Sequence, residues 1–239
     1  MIQIGGHDIE VYVFDTETTG LGTDDEIISF GVCDENGSPL LGTYIRPLKH
    51  DNWPEAERIN HIAPGMVSIA PTLTDALMTI HESGLVGSRA DYVCLVGYNV
   101  GFDVRMAIQS SELLMQSGFT YPGDNIPLSI RHQFKGAEYA YATLLTQKPL
   151  IIVDAMEPAC TKMGEWDVER NTWKRQKLVT VADTIGYSWG ADTAHDSLSD
   201  ARATAAVFRW ICEGNEKIRF IDPEDRINEP VNDCPDLGA

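Results

Sequence analysis

Val11-Tyr12-Val13-Phe14-Asp15-Thr16-Glu17-Thr18-Thr19-Gly20-Leu21 is the stretch from which the rest of the 239-residue chain can be read. Val11 to Phe14 is a short, β-favouring apolar run of the kind buried on both faces of a sheet. Asp15 and Glu17 follow at its end. Residues i and i+2 of an extended chain project from the same face, so the two carboxylates stand side by side. Two acids in that position repel each other unless a positive charge lies between them, and a divalent cation such as Mg²⁺ or Mn²⁺ suits hard oxygen ligands. Taken alone, the pair reads equally well as two solvated acids beyond a finished strand.

The neighbouring sequence extends the sheet. In Glu26-Ile27-Ile28-Ser29-Phe30-Gly31-Val32-Cys33, Ile28, Phe30 and Val32 lie on one face. Asn36-Gly37 supplies a turn, and Gly42-Thr43-Tyr44-Ile45 returns as a third strand. Three strands joined by short turns predict an antiparallel meander. Strand and helix signals then alternate: helix over 72–83, buried strand over 92–96, helix over 104–115, buried strand over 150–153, helix over 197–211. The expected fold class is α/β, a mixed sheet flanked by helices. Residues 118–149 fit this pattern poorly and are expected to be an insertion with some helix. The segment 213–239 is expected to be an acidic, proline-containing tail, with eight Asp/Glu against three Lys/Arg.

Further acids and a histidine fall where elements change. Asp103, in Asn99-Val100-Gly101-Phe102-Asp103, follows the strand over 92–96, at the carboxyl end of a strand where sites in such sheets gather. A helix N-cap explains an isolated Asp there as readily, and Asn99 is readable as a turn residue. His195 and Asp200 bracket the start of the last helix. A negative charge in a first helical turn is favoured with or without metal, and an imidazole titrates near neutral pH. Asp196 is accounted for as the N-cap.

Composition limits the rest. A net charge of −18 argues against a protein that coats long duplexes by counterion release. It permits one that grips a strand end, where metal ions offset local carboxylates. Five scattered cysteines, none in a C-x-x-C pair, suggest reduced thiols rather than a zinc site or a disulfide framework. No long apolar run or secretory leader is evident, so a cytoplasmic protein with no membrane partner is expected. Residues 162–177 hold Lys162, Arg170, Lys174, Arg175 and Lys177 interleaved with Trp166 and Trp173. Cations with aromatics suit a single strand. Glu165, Asp167 and Glu169 in the same segment make an ordinary surface hairpin the preferred reading.

In order, Asp15-x-Glu17, Asn99-x-x-x-Asp103 and His195-x-x-x-x-Asp200 resemble the three motifs of the DEDDh (DnaQ-like) 3′→5′ exonuclease superfamily. Ile59-Asn60-His61-Ile62 with Pro71-Thr72-Leu73, and Val153-Asp154-Ala155, are similar to further segments of that superfamily. The resemblance spans roughly residues 9–212, taken as one exonuclease domain. It implies an RNase H-like fold and two Mg²⁺ or Mn²⁺ ions held by Asp15, Glu17, Asp103 and Asp200, with His195 as general base. It also implies hydrolysis at a 3′ end to release 5′-mononucleotides. Thr18, Leu21 and Asn99 would meet the substrate, Leu21 as a wedge against the terminal base. The Thr18-Thr19-Gly20-Leu21 continuation is more typical of DNA-directed, proofreading-type members, so DNA 3′ ends, single-stranded or frayed, are the expected partner. An exoribonuclease or oligonucleotide trimmer of the same superfamily is the alternative, and a non-catalytic binding module a third. A polymerase or other protein docking on the acidic tail is a further possible partner.

Overall fold

The computed structural model describes residues 1–82, 90–111, 138–140, 149–190 and 195–221. The chain opens with a β-hairpin, β1 (Ile2–Ile4) and β2 (His7–Thr18), closed by Gly5-Gly6. Both glycines have positive φ, 61° and 86°, as a two-residue turn matched to strand twist requires. β3 (Ile27–Asp34) and β4 (Pro39–Tyr44) continue antiparallel and complete the expected meander.

Three short helices follow: α1 (Pro54–Asn60), α2 (Pro64–Val67) and α3 (Leu73–Glu82). β5 (Tyr92–Gly97) lies parallel to β2, and α4 (Val100–Ser110) leads away from it. β6 (Glu138–Ala140) pairs antiparallel with β7 (Leu150–Asp154), which is itself parallel to β5. α5 (Met156–Met163), the small hairpin β8 (Trp166–Asp167) and β9 (Thr172–Trp173), α6 (Leu178–Thr184) and α7 (Ser197–Cys212) come next. β10 (Ile218–Phe220) closes against β1.

The sheet order is β10-β1-β2-β5-β7-β6, with β3 on β2 and β4 on β3. Tyr12 pairs with both Asp34 and Leu95, so β3 and β5 occupy opposite edges of β2. This is the mixed sheet that the sequence predicted. The chain beyond Cys212 returns to it through β10, so the last strand falls within the segment expected to be a tail. Of the expected insertion over 118–149, the described residues are the strand β6 and Pro149; the rest, like residues 222–239, lies outside them.

Alternation along β2 divides the core in two. Ile9, Val11 and Val13 pack with Ala159 of α5, Val181 of α6 and Ala201, Ala205 and Phe208 of α7. Tyr12 and Phe14 turn the other way, against Val100 and Val104 of α4. Burying side chains on both faces explains the unbroken apolar run before Asp15. It also means that odd and even residues past Phe14 point toward different helices.

α7 lies unusually close to β3. A Cβ on Gly31 would sit 2.3 Å from the Leu198 nitrogen and 2.4 Å from the Ser197 carbonyl carbon. Glycine therefore allows the helix N-terminus to rest directly on the strand. The buried hydroxyls of Ser29 and Ser197, 2.7 Å apart, join the two elements beside it.

Candidate active site

The end of β2 carries Asp15 and Glu17 on the α7 side, as the alternation dictates. α7 brings Asp200 in its first turn, and His195 lies on the approach to that helix. One ligand atom each from Glu17, His195 and Asp200 lies within 4.8 Å of the others. The Asp200 Oδ2 atom accepts a 3.2 Å hydrogen bond from the His195 backbone nitrogen, and His195 has a left-handed φ of 68°. Asp196 is the N-cap, its Oδ1 accepting from the Ser199 nitrogen at 3.0 Å and from the Ser199 hydroxyl at 2.9 Å.

Asp103 arrives from the opposite face. The helix expected from Val104 starts at Val100, with Asn99 at its N-cap position in a left-handed conformation at φ 65°. Asp103 therefore lies within the first turn and does not cap the helix. It is buried, and its Oδ1 accepts a 2.6 Å hydrogen bond from the Thr16 hydroxyl. Thr16, between the two acids of β2, points toward α4 and so links the helix on one face to the metal-type cluster on the other.

The electrostatics follow from this crowding. Burial, then the charges of Asp103, Asp200 and Glu17, push the Asp15 carboxyl well above the usual range. Glu17 is raised to about 8 by burial and by Asp200, against a hydrogen bond from Asn60 that favours its charged form. Burial raises Asp103 to about 7, opposed by the Thr16 hydroxyl. Asp200 rises to about 6 through burial, opposed by the His195 backbone bond. The Asp200 Oδ1 atom is buried with no hydrogen-bond partner. An orphaned carboxylate oxygen among acids that resist ionising is the donor set expected of a divalent cation site.

Two more residues shape the cluster. Asn60 is buried; its Nδ2 donates to the Thr18 carbonyl at 3.2 Å and its Oδ1 accepts from the Ile62 nitrogen at 3.1 Å. His61, next to it, is exposed at φ 58°, so the left-handed turn sends one side chain inward and the other to solvent. Asp154 at the end of β7 accepts from the Asn99 nitrogen and the Met156 nitrogen, both at 2.9 Å. It thereby holds the bend that starts α4.

The substrate-facing expectations divide. Leu21 is 77% exposed at the tip of a loop beside the cluster. The loop is braced by Gln109, whose Nε2 donates to the Gly22 carbonyl at 3.1 Å and the Asp25 carbonyl at 2.5 Å. The Arg105 guanidinium lies 3.4–3.5 Å from the Gly22 and Leu21 carbonyls. Thr18 is buried, and its hydroxyl is committed to the Gly20 carbonyl at 2.7 Å, where it shapes this loop. Asn99 presents its Oδ1 to Arg175 at 3.2 Å.

The four described cysteines are buried free thiols. Among the described residues no helix is long and apolar enough to cross a membrane.

Comparison with known proteins agrees with this construction. Residues 12–133 match the RNase T family model, described as "Exonuclease". The chain is 39% identical over 202 residues to the protein named "Uncharacterized exonuclease CP81" of Escherichia phage 186, covering 84% of this chain and 87% of that one. Among solved structures it is similar to exonuclease X in complex with 5′-overhanging duplex DNA. That match has a TM-score of 0.51 at 18% identity, over 85% of this chain and 90% of the other. It is also similar to S. pombe Pop2p in its Mg²⁺- and Mn²⁺-bound form, at TM-score 0.55 and 18% identity, over 90% and 86% of the two chains. Nucleases of this kind are built on the RNase H-like fold seen here. The chain belongs to the RNase T exonuclease family, within the DEDDh (DnaQ-like) superfamily.

Proposed function

We propose that this exonuclease removes nucleotides from the 3′ end of DNA, single-stranded or frayed, and releases 5′-mononucleotides. The observation that carries the reading is the convergence of Asp15, Glu17, Asp103 and Asp200 at the end of β2, with the Asp200 Oδ1 atom buried and unpartnered. These four side chains fit two Mg²⁺ or Mn²⁺ ions. When bound, they would supply positive charge to the attacking and leaving oxygens of an in-line phosphodiester displacement. Pop2p, solved in its Mg²⁺- and Mn²⁺-bound form, shares the fold.

The chain's own residues carry the remaining tasks. His195 is exposed on the approach to α7, beside Glu17 and Asp200. It is placed to take the proton from the attacking water, a task the ligated carboxylates cannot perform. The left-handed backbone at His195 and its bond to Asp200 orient the imidazole toward the cluster. Leu21, exposed on a braced loop, would press against the terminal base and separate it from its neighbour. Thr18 supports that loop from within, and Asn99 stands where the strand leaves the site. The net charge of −18 favours a substrate held at one end over one held along its length.

The test is degradation of single-stranded DNA and RNA of equal length and sequence under Mg²⁺, with products identified by chromatography. Deoxynucleoside 5′-monophosphates formed faster than ribonucleotides support the proposal. Faster RNA degradation, or 3′-monophosphate products, would overturn it.

A further inference from the structure

The hairpin β8–β9 and the chain leaving it are not used by the reaction described above. We propose that they form a track for single-stranded nucleic acid, holding the nucleotides that lead into the active site; this rests on the exonuclease reading. Trp166 and Trp173 face each other across the hairpin, their rings edge to face at 5.0 Å. Trp166 is 48% exposed. A tryptophan face open to solvent accepts any base, which suits an enzyme that must pass along a strand regardless of sequence.

The charges sort themselves by their partners. The Lys174 ammonium is 2.9 Å from Glu165, and Arg170 lies 3.8 Å from Asp167. Lys162 turns away, donating to the Trp210 carbonyl and lying 4.0 Å from Glu213. Arg175 and Lys177 are exposed, and among the described residues neither has a carboxylate at ion-pair distance. Glu169 is an exposed acid of the hairpin with no cation at ion-pair distance among the described residues. Two unneutralised cations at the hairpin's exit, in a chain with 36 acids against 18 bases, mark a local site for phosphate.

The track joins the site through α4. Arg175 Nη2 donates to the Asn99 Oδ1 atom at 3.2 Å. The Tyr98 hydroxyl donates to the Gln176 carbonyl at 2.7 Å. Tyr98 and Asn99 form the turn between β5 and the helix whose first turn carries Asp103. A guanidinium has five N–H groups, so one bond to Asn99 fixes Arg175 and leaves donors for a phosphate. Phosphate contact falls at the mouth of the site, and stacking falls further out on the hairpin.

Fluorescence anisotropy tests the track without turnover, using the full chain in an Asp15→Asn background with Mg²⁺. The probes are 5′-labelled single-stranded oligonucleotides of three and twelve residues. Arg175→Gln and Trp166→Ala should each weaken binding of the twelve-residue strand about tenfold. The three-residue probe, held at the site end of the track, should lose much less with Trp166→Ala. Trp166→Phe, which keeps an aromatic face, should restore most of the affinity and guards against a misfolded hairpin. Equal losses on both probes with Trp166→Ala, or unchanged binding of the longer strand in both variants, would overturn the track. A strand that binds in this way to a wild-type chain which does not hydrolyse it would sink the catalytic reading and leave the track standing.

Discussion

The Thr16 hydroxyl donates to the Asp103 carboxylate at 2.6 Å, and this bond joins the two faces of the sheet at the site. Asp15 and Glu17 belong to the α7 face, whereas Asp103 belongs to α4. A threonine between two acids on a strand is the residue that can reach across. Thr16→Val keeps the side-chain volume and removes the bond. A hydrogen bond to a charged group is worth about 1.5–3 kcal/mol, so we expect turnover to fall roughly 10- to 100-fold. Thr16→Ser should recover most of it. Since the hydroxyl lowers the Asp103 pKa, its loss should also move the acid limb of the pH–rate profile upward. Steady-state kinetics of the two variants across pH check both effects.

Gly31 sets the position of Asp200 without touching it. A methyl group there would meet the backbone of Ser197 and Leu198 at 2.3–2.4 Å, and the strand and helix would have to part. Gly31→Ala should destabilise the fold by about 1–3 kcal/mol, the usual cost of overpacking. Turnover per folded molecule should fall as well, because Asp200 moves with the helix. Urea denaturation together with activity of the folded fraction separates the two losses.

The metal-free protein should be more stable in mild acid than in mild base. Glu17, Asp103 and Asp200 titrate at about 8, 7 and 6 when folded, above the usual carboxylate values near 4. Between those values the folded state binds more protons than the unfolded state, so stability falls as pH rises. The urea midpoint in EDTA should drop from pH 5 to pH 8. Mg²⁺ should reverse the drop and release protons when added at neutral pH. A midpoint that rises over this range in EDTA would contradict the proposed crowding.

Asn60 and His61 should behave in opposite ways. Asn60 is buried against Glu17 and the Thr18 carbonyl, so Asn60→Ala should cut turnover about tenfold, the cost of a hydrogen bond to a charged group. His61 is exposed in a left-handed turn, which glycine adopts without strain, so His61→Gly should leave turnover unchanged. Parallel kinetics of the two variants decide this.

The contrast shows where the sequence stops being readable. The meander was legible because Ile28, Phe30 and Val32 alternate and Asn36-Gly37 marks a turn. Asp196 was legible as a cap because the helix behind it is strongly patterned. The start of α4 was not. Asn99 bends left-handed at a position that a bond to Asp154 holds, and that partner is 55 residues away. β1 and β10, three residues each, are too short to show a period, and they are held by pairing, β1 with β2 and β10 with β1. The four acids stand out in the sequence by their order, but Thr16 and Asn60 depend on side-chain directions that only the folded chain supplies.

The central claim is that Asp200 completes a carboxylate cage acting at a 3′ end. A 5′-labelled single-stranded DNA incubated with wild-type protein and Mg²⁺ should give a ladder that shortens from the 3′ end. Asp200→Ala, or EDTA, should leave the strand whole while the protein remains folded. Label released first as a mononucleotide, or a ladder that persists in Asp200→Ala, would contradict the account.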